Sequence, residues 1–250
     1  MEKTMEDNMK HFRTMYLIGA ISTIAVLCGI VLDMMIGSIT GGDLTSLPQT
    51  AVERFNQLNQ NWILGLYNLD FLNLINQIIL IPSVFSIYLV HKYDDNGYAL
   101  LTLILFLIGT TIFITNNTAL TMFELSKKYF TAVSAEQRNL IASAGEAMLA
   151  KGAHGSLSVF IGFALPTFAN ILLSHVMIKR RIFSKTTSIF GLVGNILMLL
   201  YIILVTFSPS VEKIAILIAM PGGLLVMSWM IMYMLKLLKL SFSEVTSYTT

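Results

Sequence analysis

Six predominantly apolar runs, each more than twenty residues long, constrain this chain more than any other feature, because about 20 apolar residues are what a bilayer's hydrocarbon core demands. They extend from Met15 to Ile36, Trp62 to Val90, Tyr98 to Ser126, Ala153 to Ile178, Thr186 to Phe207 and Lys213 to Leu235. Inside a bilayer every backbone N–H and C=O must find a partner within the protein, which leaves helices and closed barrels. The two-residue alternation of a barrel strand is absent. The sequence therefore predicts an all-α, polytopic helical membrane bundle with six transmembrane helices, a single domain over residues 1–250.

Composition excludes the soluble alternatives. Only 12% of residues are charged, where a soluble domain carries about 25%, and 55% are hydrophobic, more apolar surface than one water-facing shell conceals. The net charge of +2 leaves no footprint for nucleic acid; the lipid bilayer is the expected partner. Cys28 is the single cysteine, so an internal disulfide is impossible and no metal or other cofactor is expected. Lys3, Lys10 and Arg13 flank the first run as in a signal peptide, but the run is too long and lacks a small-x-small cleavage site, so it is expected to be retained as a span.

With both termini in the cytoplasm, the inner segments hold ten of the 16 basic residues, including Lys179, Arg180, Arg181 and Lys185. This excess predicts that orientation, in the cell membrane. Ser46 with Gln49, and Ser134 with Gln137, have capping-box spacing on the outer side. After the first, Val52, Phe55, Leu58 and Trp62 recur at three- and four-residue steps, predicting an outer interfacial helix; the second device predicts a helix from about Ala135 to Lys151. Pro82, Pro166 and Pro221 fall inside spans.

An ionisable residue within a span costs about 2.5 to 3.5 kcal/mol on insertion scales, so polar positions mark candidate sites. In the second span Asp70, Asn73, Asn76 and Gln77 follow helical spacing; in the third, Asn117, Thr121 and Glu124 do so at the same depth. Glu146 and His154 lie nearby in the outer connection and the start of the fourth span. The candidate ligand-binding set is thus Asp70, Asn73, Gln77, Asn117, Glu124, Glu146 and His154, sharing one outward-opening pocket. Ordinary headgroup-level residues and interhelical hydrogen bonds would give the same pattern. Asn170 and Asn195 share a depth in the inner half and are expected to bond one another, while His11, His91 and His175 read as interfacial. Gly145, Gly152, Gly155, Gly191 and Gly194 have the spacing of close helix approach.

Two longer stretches carry a resemblance. They are Asn117-Thr118-Ala119-Leu120-Thr121-Met122 with Glu124-Leu125-Ser126, and Ala144 to Gly155, supported by Asn68-Leu69-Asp70 and Met220-Pro221-Gly222-Gly223-Leu224. In these the chain resembles the uncharacterised prokaryotic membrane proteins of domain-of-unknown-function family 4386. That resemblance implies a multi-span helical membrane domain and supplies neither an activity nor site residues.

Three functions remain open from the residues. Binding, sensing or transport of a small polar or cationic solute in the outer pocket leads. An intramembrane acid/base or metal-dependent hydrolase using His154 with Glu146 or Glu124 is weakened by the single outer histidine and the absence of G-x-S-x-G and H-E-x-x-H. A structural subunit that contacts another membrane protein would carry a similar sequence.

Overall fold

The computed structural model describes residues 2–39, 48–152 and 156–243. Among the described residues there are ten α-helices and no strand. The bundle is made by α1 (Glu2–Ile39), α4 (Phe71–His91), α5 (Asn96–Asn116), α8 (Leu157–Arg180), α9 (Lys185–Phe207) and α10 (Glu212–Phe242), which carry six segments long and apolar enough to cross a membrane. At 1.5 Å per residue, the 21 residues of α4 or α5 measure about 32 Å, close to a hydrocarbon core.

These six pack in the order in which the chain makes them: α1 on α4, α4 on α5, α5 on α8, α8 on α9, α9 on α10, and α10 back on α1. The ring is closed. Its interior is held by Ile87 of α4, Leu173 and Met177 of α8, and Trp229, Tyr233 and Leu237 of α10. Its outward faces keep large apolar side chains such as Ile21, Ile104, Ile196 and Leu217 exposed, as a surface solvated by lipid tails requires.

A second apolar cluster caps one end of the ring. It joins α2 (Ala51–Gln60), α3 (Trp62–Tyr67), α6 (Ala119–Thr131) and α7 (Ala135–Gly152) around Phe55, Leu58, Leu66 and Met122. α2 begins with a capping box in which Thr50 accepts from Glu53 N–H at 3.2 Å and Glu53 accepts from Thr50 N–H at 3.0 Å. The expected start at Ser46 lies outside the described residues. For α7, Ser134 accepts from Gln137 N–H at 3.1 Å and Gln137 reaches back to Val133 N–H at 3.2 Å. The apolar stripe on α2 is spent inside the cap: Phe55 and Leu58 are buried, and only Trp62, across the junction with α3, is exposed.

Two of the expected continuous spans are interrupted, and the interruptions meet. Between α3 and α4, Asp70 adopts φ 65°, a left-handed conformation that Asp and Asn tolerate better than most residues. Between α5 and α6, Asn117 is extended at φ −66°, ψ 126°. Asn117 Nδ2 donates to the carbonyls of Leu69 at 3.3 Å and Asp70 at 3.2 Å, while its Oδ1 accepts from Ala119 N–H at 3.1 Å. One amide thus serves the junction between α3 and α4 and the start of α6. Asn116 Nδ2 donates to Ser158 O and Lys151 Nζ to Thr115 O, both at 2.9 Å, which ties the same break to α7 and α8. Arg54, whose guanidinium is pushed below its ordinary value by burial, donates to Asn68 O at 3.3 Å.

The helices containing Pro82, Pro166 and Pro221 run on through them. Near Pro82 the backbone receives hydroxyls: Ser22 of α1 donates to Ile79 O, and Ser86 donates to Pro82 O at 2.8 Å. At the end opposite the cap, Arg180 donates to Asp95 from Nη2 at 2.8 Å and Nε at 3.0 Å, with Lys179 at 3.6 Å. Arg180, aided by Lys179, holds the Asp95 carboxyl below the usual 3.8. His91 is the last residue of α4. It is fully buried against the Phe183 ring, and neither ring nitrogen has a partner.

A neutral polar cavity at the centre of the ring

A cavity of about 180 Å³ lies between α1, α4, α8 and α10. α4 contributes Asn73, Asn76 and Gln77, which the three- and four-residue spacing places on one face. α8 contributes Asn170 and Phe163; α10 contributes Trp229 and Tyr233; α1 adds the apolar Val26 and Ile30. No Asp, Glu, Lys, Arg or His lines it.

Four buried polar atoms on these wall residues have no hydrogen-bond partner: Asn76 Nδ2, Gln77 Oε1, Asn170 Oδ1 and Trp229 Nε1; the indole N–H, however, turns to α9, where a Cβ on Gly191 would lie 2.6 Å from it. Leaving such a group unpaired costs about 1 to 3 kcal/mol, so the three amides of Asn76, Gln77 and Asn170, each with an unpartnered atom, mark this wall as the candidate site. The tyrosine, by contrast, is already tied down. Ser83 donates to the Tyr233 hydroxyl at 3.1 Å and lies 2.7 Å from Thr23 Oγ1, which also bonds Gly19 O at 2.7 Å. This chain of hydroxyls links α10, α4 and α1 beside the cavity.

The structure divides the residues expected to share a site. Asn73 and Gln77 line the cavity, together with Asn76 of the same stripe. Asp70 stands behind them: Asn73 Nδ2 donates to Asp70 Oδ1 at 2.7 Å. Asn117 grips the helix break one step farther out. Glu124 is exposed on α6, because the break at Asn117 and Thr118 resets the helical phase and turns Thr121 and Glu124 away from the interior. Glu146 accepts from Ala51 N–H at 2.7 Å and so caps α2, a favourable place for a carboxylate at a helix N-terminus. Gly145 makes that contact close: a Cβ there would come within 2.6 Å of Phe55 Cζ and 2.7 Å of Ala51 Cβ. His154 and Gly155 lie outside the described residues.

Asn170 and Asn195 do not form the expected pair. Asn195 Nδ2 donates to Gly191 O of its own helix at 2.7 Å, and Asn170, a residue of the cavity wall, keeps its side-chain oxygen without a partner. Trp229 and Tyr233 are the wall residues that the sequence did not single out. An aromatic pair four residues apart in an otherwise methionine-rich apolar span was the available signal. Among the described residues no group of three or more His, Cys, Asp or Glu is placed to hold a metal ion.

A ring of six spanning helices makes this a multi-pass membrane protein. The chain belongs to the family described as Domain of unknown function (DUF4386), whose model matches residues 14–236, from the first span to the last. No curated protein and no solved structure matches it.

Proposed function

We propose that this protein binds a small, uncharged polar solute in the central cavity, as a sensor or carrier. The observation behind this reading is the set of three side-chain amides, Asn76, Gln77 and Asn170, each with an unpartnered atom, on the wall of a space lined by no charged residue. A cation would find no carboxylate on the wall, and an anion no base. An engineered cavity of about 150 Å³ takes up benzene, so the available volume suits a compact amide, urea or polyol.

The two tryptophans provide the test, because Trp62→Phe leaves Trp229 as the single indole, inside the site. Titration with acetamide is expected to shift its emission saturably, with a midpoint on the order of millimolar. Gln77→Leu and Asn170→Leu should abolish that response. Both should fold at least as stably as the parent, since each removes an unpartnered buried carbonyl at a cost of about 1 to 3 kcal/mol. A response that never saturates, and is equal in all three proteins, would sink the proposal.

We also propose that both termini are cytoplasmic, with the cap outside. The excess of basic residues at the end bearing Lys179 to Lys185 supports this orientation. In a Cys28→Ser background, Ser134→Cys should react with an impermeant thiol reagent on intact cells and Ser184→Cys should not. The reverse labelling would invert the arrangement.

A further inference from the structure

Gly29 of α1 faces Asn76 of α4 across the wall of the cavity. A Cβ at position 29 would lie 2.9 Å from both Cγ and Nδ2 of Asn76, and nearer still to Oδ1, so no side chain fits there while Asn76 stays in place. The atoms in the way are the tip of a side chain rather than backbone. Such a tip can swing aside at little cost, and the same side chain belongs to the cavity wall. Asn76 is buried and its Nδ2 has no partner, so no hydrogen bond of that nitrogen opposes the swing.

Resting on the reading of the cavity as a solute site, we propose that Gly29 and Asn76 together set its size limit. The missing side chain on α1 forms a recess that holds the Asn76 carboxamide back, and the depth of that recess fixes how large an uncharged solute is admitted. Asn76 is then a specificity-determining residue, and Gly29 positions it. Filling the recess pushes the carboxamide into the cavity; removing the carboxamide enlarges the cavity.

The test uses the full-length Trp62→Phe protein and a graded amide series, acetamide, butyramide and hexanamide, with Trp229 emission as readout. The parent should bind acetamide and butyramide. Gly29→Ala should weaken butyramide about tenfold or more, the scale on which a pocket discriminates by one or two methylenes, while acetamide stays within about threefold. Adding Asn76→Ala to Gly29→Ala should restore butyramide. Asn76→Ala alone should admit hexanamide, which the parent excludes, and this arm keeps the test decisive if Gly29→Ala fails to fold. If the parent binds none of the three, the solute-site reading and this inference fall together. If the parent binds but neither Gly29→Ala nor Asn76→Ala changes the size cut-off, the solute site stands and the size limit is set elsewhere.

Discussion

Asn117→Ala should lower the unfolding free energy in detergent micelles by about 2 to 3 kcal/mol, more than is usual for a half-buried polar residue. Its amide serves two carbonyls in the junction between α3 and α4 and one N–H at the start of α6. Truncation strands the Leu69 carbonyl at a helix break, at about 1 to 3 kcal/mol, whereas the Asp70 carbonyl keeps the Leu74 N–H at 3.2 Å; the 3.3 Å length of the lost bond argues for the low end. Loss of the cap on Ala119 adds about 1 kcal/mol. Asn117→Asp should be comparably damaging, because it keeps the acceptor for Ala119 but sets a carboxylate against two carbonyl oxygens. Equilibrium unfolding of both variants decides the matter, and a change under about 0.5 kcal/mol in both would show that the paired breaks do not depend on this amide.

The second large effect concerns the seam between α5 and α8. A Cβ at Gly162 would come within 2.8 Å of Phe113 Cα and 3.0 Å of Phe113 N, atoms that cannot move unless the whole helix moves. Gly162→Ala should therefore force the two helices apart and destabilise by about 1 to 3 kcal/mol. Gly97, near the start of α5, is the internal control: nothing lies within 4 Å of a Cβ there. Gly97→Ala should stabilise by about 0.5 to 1 kcal/mol, because alanine forfeits less backbone entropy on entering a helix. The same substitution should thus have opposite signs at the two positions. Equal thermal shifts for the two variants would mean that close approach at Gly162 is not what seats α8.

The spans and the lining of the cavity by α4 were legible because both are properties of single helices. Twenty apolar residues must cross a bilayer wherever their neighbours stand, and Asn73, Asn76 and Gln77 share a face by spacing alone. What the sequence hid was phase and partnership. The break at Asn117 and Thr118 is only two residues long, invisible to an average over a span, yet it rotates Thr121 and Glu124 out of register with α5. Glu146 looked like a site carboxylate because its depth was right; its partner, the Ala51 N–H, lies 95 residues away and no local rule pairs them. Trp229 and Tyr233 read as ordinary apolar filling until the ring closed around them. Their significance comes from α10 lying against α1, a contact between the two ends of the chain.

That last contact bears on how the protein is made. Helices that neighbour one another in space in the order of their synthesis can each dock on the previous one as it leaves the ribosome, with no rearrangement of those already inserted. The cavity, however, needs α10 for Trp229 and Tyr233, so a nascent chain with five spans inserted has Asn76, Gln77 and Asn170 facing lipid or water through an open side. Such a chain holds unpaired amides where hydrocarbon penalises them most. Of the six spans, α10 is thus the one whose docking turns a polar groove on α4 and α8 into a cavity.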